Sequence, residues 1–142
     1  MKKVTPFLWF DTQAEEAMNF YVSIFKNSKV GSVSRGPDGK AFTVDFELDG
    51  QEFMGLNAGP LFKFNESISM FVSCGDQTEV DYFWNKLIAD GGEESQCGWL
   101  KDKFGLSWQV IPENMSSMIN GPAGMQAMMK MKKIIIADLQ NA

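Results

Sequence analysis

The sequence of 142 residues contains no histidine and only two cysteines. The absence of histidine excludes histidine general bases, Ser-His-Asp triads and imidazole metal sites. Cys74 and Cys97 are too few and too far apart for a disulfide scaffold or a Cys-x-x-Cys site, which favours two reduced, partly buried thiols.

Long apolar runs and an excess of positive charge are also missing. No stretch approaches the roughly 20 apolar residues that span a bilayer. Met1-Lys2-Lys3 leads into strand-like sequence and not into a secretory signal. A net charge of −5 argues against general nucleic-acid binding, which depends on Lys and Arg neutralising phosphates. We therefore expect a soluble cytoplasmic protein without membrane or nucleic-acid partners.

What the sequence has in abundance is aromatic residues, with 12 Phe and 4 Trp that predict an aromatic core. Its length suits one domain, 1–142, built from two small repeats. In the first, 4–57, a capping-box pattern at Thr12-x-x-Glu15 opens an amphipathic helix, and Asp49-Gly50 is a two-residue hairpin turn. The strands predicted for this module are Val4–Phe10, Lys29–Arg35, Ala41–Leu48 and Gln51–Leu56.

The same order of elements returns in 66–112, the second predicted module. Asp76 and Glu79 mark the start of its helix, and Gly91-Gly92 marks the end. The strands predicted here are Ser67–Ser73, Glu93–Leu100 and Leu106–Ile111. The tail, 113–142, is predicted to form short helices rich in methionine, which pack on the body or on a partner subunit. The alternative role for these methionines is a copper site. The fold class is α+β: tandem βαβββ modules whose mixed sheets curl around a groove, with a C-terminal helical tail.

Several stretches carry a family resemblance. They are Gln-Cys-Gly-Trp-Leu-Lys-Asp-Lys-Phe-Gly-Leu-Ser-Trp-Gln-Val-Ile-Pro at 96–112, together with Gly55–Glu66, Asp90–Glu94, Pro6–Leu8 and Ala14–Ala17. The chain resembles the PhnB-like branch of the vicinal oxygen chelate superfamily, which includes glyoxalase I and the bleomycin-resistance proteins. This branch often carries the name 3-demethylubiquinone-9 3-methyltransferase domain. The resemblance implies the same tandem βαβββ fold, while activities within the superfamily differ.

The resemblance also implies where a metal would sit, because metal-using relatives take one His, Glu or Gln ligand from each of four strands. The matching positions here are Pro6, Met54, Ser67 and Gln109. Such a set is a poor metal site, so we expect no metal and no cofactor. The alternative is an oxygen-only site from Glu52, Glu66 and Gln109, which would favour magnesium, calcium or manganese.

Strand alternation predicts what the groove contains if Gln109 faces it, with Trp108 and Val110 on the helix side. The expected groove lining is Pro6, Leu8, Met54, Leu56, Ser67, Ser69, Phe71, Ser107, Gln109 and Ile111. This lining is largely apolar with a few hydroxyl and amide groups, which suits a small organic ligand. The alternative is that these side chains simply fill a closed barrel.

Three kinds of function are compatible with this sequence. The first is a metal-independent protein that binds a small apolar or aromatic molecule. The second is an enzyme, either a methyltransferase as the family name suggests or a metal-dependent isomerase or dioxygenase with an oxygen-ligand site. Against a methyltransferase, Gly36-Pro37-Asp38-Gly39 predicts a hairpin turn and not the glycine-rich turn that S-adenosylmethionine enzymes use. The third is an interaction module, and we expect a homodimer in any case.

Overall fold

The computed structural model describes residues 2–142, which divide into two compact units. The first unit ends at Phe64, and the second runs from Asn65 to Ala142. Each contains a four-stranded mixed sheet covered by one long helix, and the second also carries a helical tail. The α+β fold of two βαβββ modules predicted from the sequence is therefore confirmed.

The first unit has the strand order β1-β4-β3-β2, with β1 parallel to β4 and the other pairs antiparallel. Its elements are β1 (Phe7–Phe10), α1 (Ala14–Ile24), β2 (Lys29–Arg35), β3 (Ala41–Leu48) and β4 (Gln51–Asn57). β1 begins at Phe7 and not at Val4, because Pro6 has no N–H for the ladder. The Pro6 carbonyl still accepts a hydrogen bond of 2.9 Å from the Met54 N–H.

The start of α1 differs from the prediction. The helix begins at Ala14, one residue after Gln13, and no side chain at the N-cap position closes it, so the capping box at Thr12 and Glu15 is not formed. Instead the Ala14 N–H donates to Asn57 Oδ1 at 2.8 Å. An amide at the end of β4 satisfies a donor that the local sequence leaves free.

Two features of the first sheet lie beside β3: the turn that connects β3 to β4 and a bulge in β2. Asp49 and Gly50 both have positive φ, as the predicted two-residue turn requires. In β2, a bulge places Gly31 against Asp45, where a Cβ would come within 1.8 Å of the Asp45 carboxylate. Ser32 donates to that carboxylate through its N–H at 3.1 Å and through its hydroxyl. Only glycine fits at position 31.

The second unit repeats the arrangement in the order β5-β8-β7-β6, with β5 parallel to β8. Its elements are β5 (Ser69–Cys74), α2 (Gln77–Leu87), β6 (Glu93–Glu94), β7 (Trp99–Lys101) and β8 (Ser107–Pro112). The predicted cap of α2 is confirmed: Asp76 accepts from the Glu79 N–H at 2.9 Å, and Glu79 accepts from the Gly75 N–H at 3.0 Å.

The tail contains three short helices, in agreement with the prediction of short helices there. They are α3 (Met115–Met118), α4 (Gly121–Met129) and α5 (Ile136–Gln140). The Gln77 side chain donates to the Ile134 carbonyl at 3.0 Å and accepts from the Ile136 N–H at 2.8 Å. Ile134 and Leu139 are fully buried, so the end of the tail packs on the second unit. Among residues 2–142, no helix is long and apolar enough to cross a membrane.

Candidate functional site

The face of the second sheet opposite α2, here called the second open face, carries two parallel rows of side chains. The hydroxyl row joins Ser69, Ser107 and Lys101, which are register partners across β5, β8 and β7. The aromatic row joins Phe71, Gln109 and Trp99 in the same way. Ile111 continues β8 beyond them. Neighbouring strands lie about 4.8 Å apart, so the side chains within a row are immediate neighbours.

Buried residues behind this face fix its register. Trp108 and Val110 are buried on the α2 side, as predicted. The Trp108 indole N–H donates to the buried carboxylate of Asp102 at 2.9 Å. The same carboxylate accepts from the N–H groups of Phe104 at 2.9 Å and Leu106 at 3.1 Å. Asp102 thereby closes the turn between β7 and β8 and holds Gln109 on the open face.

The polar groups of the second open face are arranged around one hydrogen bond. Gln109 Nε2 donates to Ser69 Oγ at 2.9 Å. The Lys101 ammonium lies 2.9 Å from the Glu66 carboxylate, and this contact holds the pKa of Glu66 below its usual value, first through the hydrogen bond and then through charge. Ser107 Oγ is buried and has no hydrogen-bond partner within residues 2–142. The face therefore offers a ligand both donors and acceptors, from Gln109 and Ser107.

The structure places five of the ten predicted groove residues together on this face: Ser69, Phe71, Ser107, Gln109 and Ile111. Trp99 and Lys101 belong there as well but were missed. The signal that could have found them is the Asp102–Gly105 turn, because a hairpin of fixed length sets the pairing of β7 with β8. Projecting that register puts Trp99 opposite Gln109 and Lys101 opposite Ser107.

The matching face of the first sheet, the first open face, holds two more predicted residues, Met54 and Leu56. Leu8 does not lie there: it is the register partner of Gly55, on the face packed by α1, and is 5% exposed. The physical reason is that Phe7 and not Leu8 pairs with Met54 in the parallel β1–β4 ladder. The predicted position of Leu8 in the groove is therefore wrong by one residue.

The two remaining predicted residues lie outside the strands. Pro6 precedes β1 and is half-buried. Ser67 is exposed and precedes β5, whose first residue is Ser69. The N–H and hydroxyl of Ser67 both donate to Asn65 Oδ1, at 2.9 and 2.6 Å, so its polar groups are used in a local turn. β5 therefore starts two residues later than predicted.

The side chains at the four positions do not fit the metal site that the resemblance implies. Pro6 and Met54 offer no hard ligand, Ser67 bonds to Asn65, and Gln109 bonds to Ser69. Within residues 2–142, no group of three or more His, Cys, Asp or Glu side chains is arranged to hold a metal ion. Of the oxygen-only alternative, Glu66 pairs with Lys101 and Glu52 accepts from the Lys2 N–H at 3.3 Å.

Two other features of the molecule, the Cys74 thiol and a cleft on the first open face, are weaker candidates for a functional site. Burial raises the pKa of the Cys74 thiol to about 12, with Glu79 and Asp76 adding to the effect, so this thiol is not a nucleophile at neutral pH. On the first open face, a cleft of about 270 Å³ is lined by residues that include Lys29, Glu47 and Glu52.

Comparison with known proteins adds a family and a set of structural relatives. Residues 2–111 match the family model described as 3-demethylubiquinone-9 3-methyltransferase, which leaves the tail outside the match. A PhnB protein from Bacillus cereus, described by the same name, is 36% identical, with 78% of this chain and 99% of that chain covered and a TM-score of 0.73. No curated protein matches the chain.

More distant structures share the fold. A protein from Pseudomonas aeruginosa is 16% identical with a TM-score of 0.65, and 80% of this chain and 98% of that chain are covered. The fosfomycin resistance protein FosX from Listeria monocytogenes, in complex with Mn(II) and sulfate, is 14% identical with a TM-score of 0.56; 80% of this chain and 91% of that chain are covered. At these identities the likeness concerns the fold alone.

Proposed function

This chain belongs to the 3-demethylubiquinone-9 3-methyltransferase family of PhnB-like proteins, within the glyoxalase and bleomycin-resistance superfamily, and from that premise we propose that it is a metal-independent small-molecule binding protein. Its ligand is a small apolar or aromatic molecule. The binding surface is the second open face, with the hydroxyl row and the aromatic row as its two parts.

The observation that carries this proposal is the hydrogen bond of 2.9 Å between Gln109 and Ser69, flanked by aromatic side chains. Gln109 stands between Phe71 and Trp99 in register, and Phe71 is 61% exposed. An apolar surface with a few fixed polar groups is typical of small-molecule sites, since the apolar area supplies affinity and the polar groups orient the ligand. Gln109 keeps a second N–H and its carbonyl for a ligand.

The absence of suitable donors supports metal independence. The four positions that match the superfamily ligands are Pro6, Met54, Ser67 and Gln109. A neutral amide and a hydroxyl supply too little charge to hold a divalent cation. FosX, which was solved with Mn(II), shares only the fold with this chain. Elemental analysis of protein purified without chelator is expected to show no stoichiometric metal.

Native mass spectrometry of freshly purified protein, followed by calorimetric titration of a metabolite library, tests the binding function. We expect a saturable ligand whose affinity falls about tenfold in Gln109→Ala, the loss typical of one hydrogen bond. Ser73→Ala is the matched control, because Ser73 is exposed on the same face but lies beyond both rows. The absence of any saturable ligand across the library would contradict the proposal.

We do not propose a methyltransferase function for this chain, although the family name suggests one. Gly36 and Gly39 close a turn, with a hydrogen bond of 3.0 Å, between the antiparallel strands β2 and β3. The glycine-rich turn that binds nucleotide cofactors instead joins a parallel strand to a helix. We expect no binding of S-adenosylmethionine, and a dissociation constant in the micromolar range would overturn this expectation.

We also propose that the protein is a homodimer. In the first unit, Phe7 and Phe42 are 52% and 53% exposed, and Leu61 and Phe62 are at least 60% exposed. Large apolar side chains exposed at this density are typical of surfaces that a second subunit covers. Sedimentation at tens of micromolar should show a dimer, and a species of only 15.9 kDa would contradict this.

A further inference from the structure

Ser107 is the most unusual polar residue of the second open face. It is fully buried, and its Oγ has no hydrogen-bond partner within residues 2–142. An unsatisfied buried hydroxyl costs free energy, about 1–3 kcal/mol in general, so a group retained in this state calls for a partner from outside the chain. The hydroxyl has one O–H to donate and two lone pairs.

The neighbour of Ser107 across the β7–β8 ladder is Lys101, the only cation of the two rows. Its ammonium pairs with Glu66, whose side chain is 66% exposed and belongs to the segment preceding β5. An exposed ion pair of this kind contributes little to stability. Glu66 can therefore be displaced from Lys101 by another carboxylate at small cost.

Resting on the proposed binding function, we propose that the ligand of the second open face is an aromatic carboxylic acid. Its carboxylate takes the place of Glu66 at Lys101 and accepts the hydrogen bond that Ser107 cannot make within the chain. Its ring lies against the aromatic row, between Phe71 and Trp99.

The spacing of the two rows fits such a molecule. Residues two apart in a strand lie about 7 Å from each other, which separates the Ser107 position from the Gln109 position along β8. A ring joined to a carboxylate by a short chain spans this distance. The donors fit as well, since Lys101 supplies charge and Ser107 supplies a directed O–H, and a carboxylate accepts both.

Hydrocinnamate and its neutral analogue hydrocinnamamide, titrated separately and followed by ligand-observed NMR, test the inference. The two probes share the ring and chain and differ in charge. We expect hydrocinnamate to bind at least about tenfold more tightly, because hydrogen bonds to charged groups are the stronger kind. Lys101→Met should abolish that preference, whereas Lys86→Met, an exposed lysine of α2, should leave it unchanged.

Two further variants address the neighbours of Lys101. Glu66→Gln should tighten hydrocinnamate binding, because it removes the competing carboxylate without touching the rows. Ser107→Ala should weaken hydrocinnamate severalfold and should not lower the melting temperature, because the hydroxyl has no partner to lose. Ser73→Ala is its matched control.

The outcomes separate this inference from the binding function on which it rests. Equal affinity for the two probes, or a preference that survives Lys101→Met, overturns the carboxylic acid while the binding function stands. Hydrocinnamate binding unaffected by Ser107→Ala overturns the role of Ser107. No binding of either probe, together with no ligand from the metabolite library, overturns both.

Discussion

The two sheets of this protein have the same strand order and different side chains on their open faces. Around Met54, the first open face presents Glu52 and Glu47, which are direct register partners. Around Gln109, the second presents Ser107 and Lys101 at the corresponding place, two residues earlier on the central strand. Both faces hold charges of both signs, since Lys29 is the register partner of Glu47 and Glu93 is the register partner of Lys101. The second face differs in its hydroxyl and amide groups, which can donate hydrogen bonds.

This difference shows that the fold alone does not determine where a ligand binds. Both central strands pair in parallel with a first strand and antiparallel with the next one, so the rows form in the same way. What changes is which side chains the rows hold. We expect an anionic ligand to pair with Lys101 of the second open face and to avoid Glu47 and Glu52 of the first.

Trp108→Ala should have the largest effect and should unfold the second unit preferentially. The side chain is 3% exposed and its indole N–H bonds to Asp102, so removing it leaves a cavity and breaks that hydrogen bond. The expected loss of unfolding free energy is about 3–5 kcal/mol. Denaturant unfolding measures the loss, and a silent variant would show that β8 has the opposite register.

Asp45→Ala should destabilise the first unit by about 1 kcal/mol, the usual value of a hydrogen bond. Its carboxylate accepts from both the N–H and the hydroxyl of Ser32 and so holds the bulge of β2. Thr43→Ala, on the same face of β3, is the control. Amide exchange should accelerate in β2 and remain unchanged in the second unit; faster exchange in both would contradict this localisation.

Gln109→Ala and Met54→Ala form a matched pair for ligand binding. Both residues are half-buried on the central strand of their sheet. We expect Gln109→Ala to weaken the ligand about tenfold with little loss of stability, and Met54→Ala to leave affinity unchanged. If Met54→Ala has the larger effect on affinity, the ligand lies on the first open face and the comparison is reversed.

The contact between Lys133 of the tail and Asp81 of α2 gives the second unit a small pH dependence. The hydrogen bond from Lys133, followed by that from Gln77, holds the pKa of Asp81 below its ordinary value of 3.8. A lowered pKa in the folded state means that this stabilisation is present above the unfolded value and is lost as pH falls through the folded value. The protection factor of the Ile136 amide, which donates to Gln77, should fall in acid, and Asp81→Asn should remove that pH dependence. A protection factor independent of pH in the original chain would contradict the assignment.

Local patterns in the sequence predicted most of the fold. The alternation of Ala41–Leu48, the turn at Asp49-Gly50 and the cap at Asp76 are all confirmed, because each depends on neighbours in the chain. The cap of α1 was wrong because its acceptor is Asn57, which is distant in sequence. No local pattern predicts such a contact.

The candidate site was predicted unevenly for the same reason. Alternation along β5 and β8 placed Ser69, Phe71 and Gln109 on one face correctly. Leu8 was misplaced because the parallel β1–β4 register is not encoded by a turn, and a shift of one residue reverses the face. Within residues 2–142, Ser107 Oγ has no hydrogen-bond partner. This depends on the positions of all neighbouring side chains in the folded protein, so the sequence does not predict it.

Backbone amide shift mapping of the ¹⁵N-labelled protein, with a library ligand added in chelator and again with magnesium or calcium, locates the binding surface and measures its dependence on metal. We expect shifts centred on Ser69, Ser107 and Gln109, with the same affinity in both conditions. Binding that appears only with metal, or shifts centred on Glu47 and Glu52, would contradict a metal-independent site on the second open face.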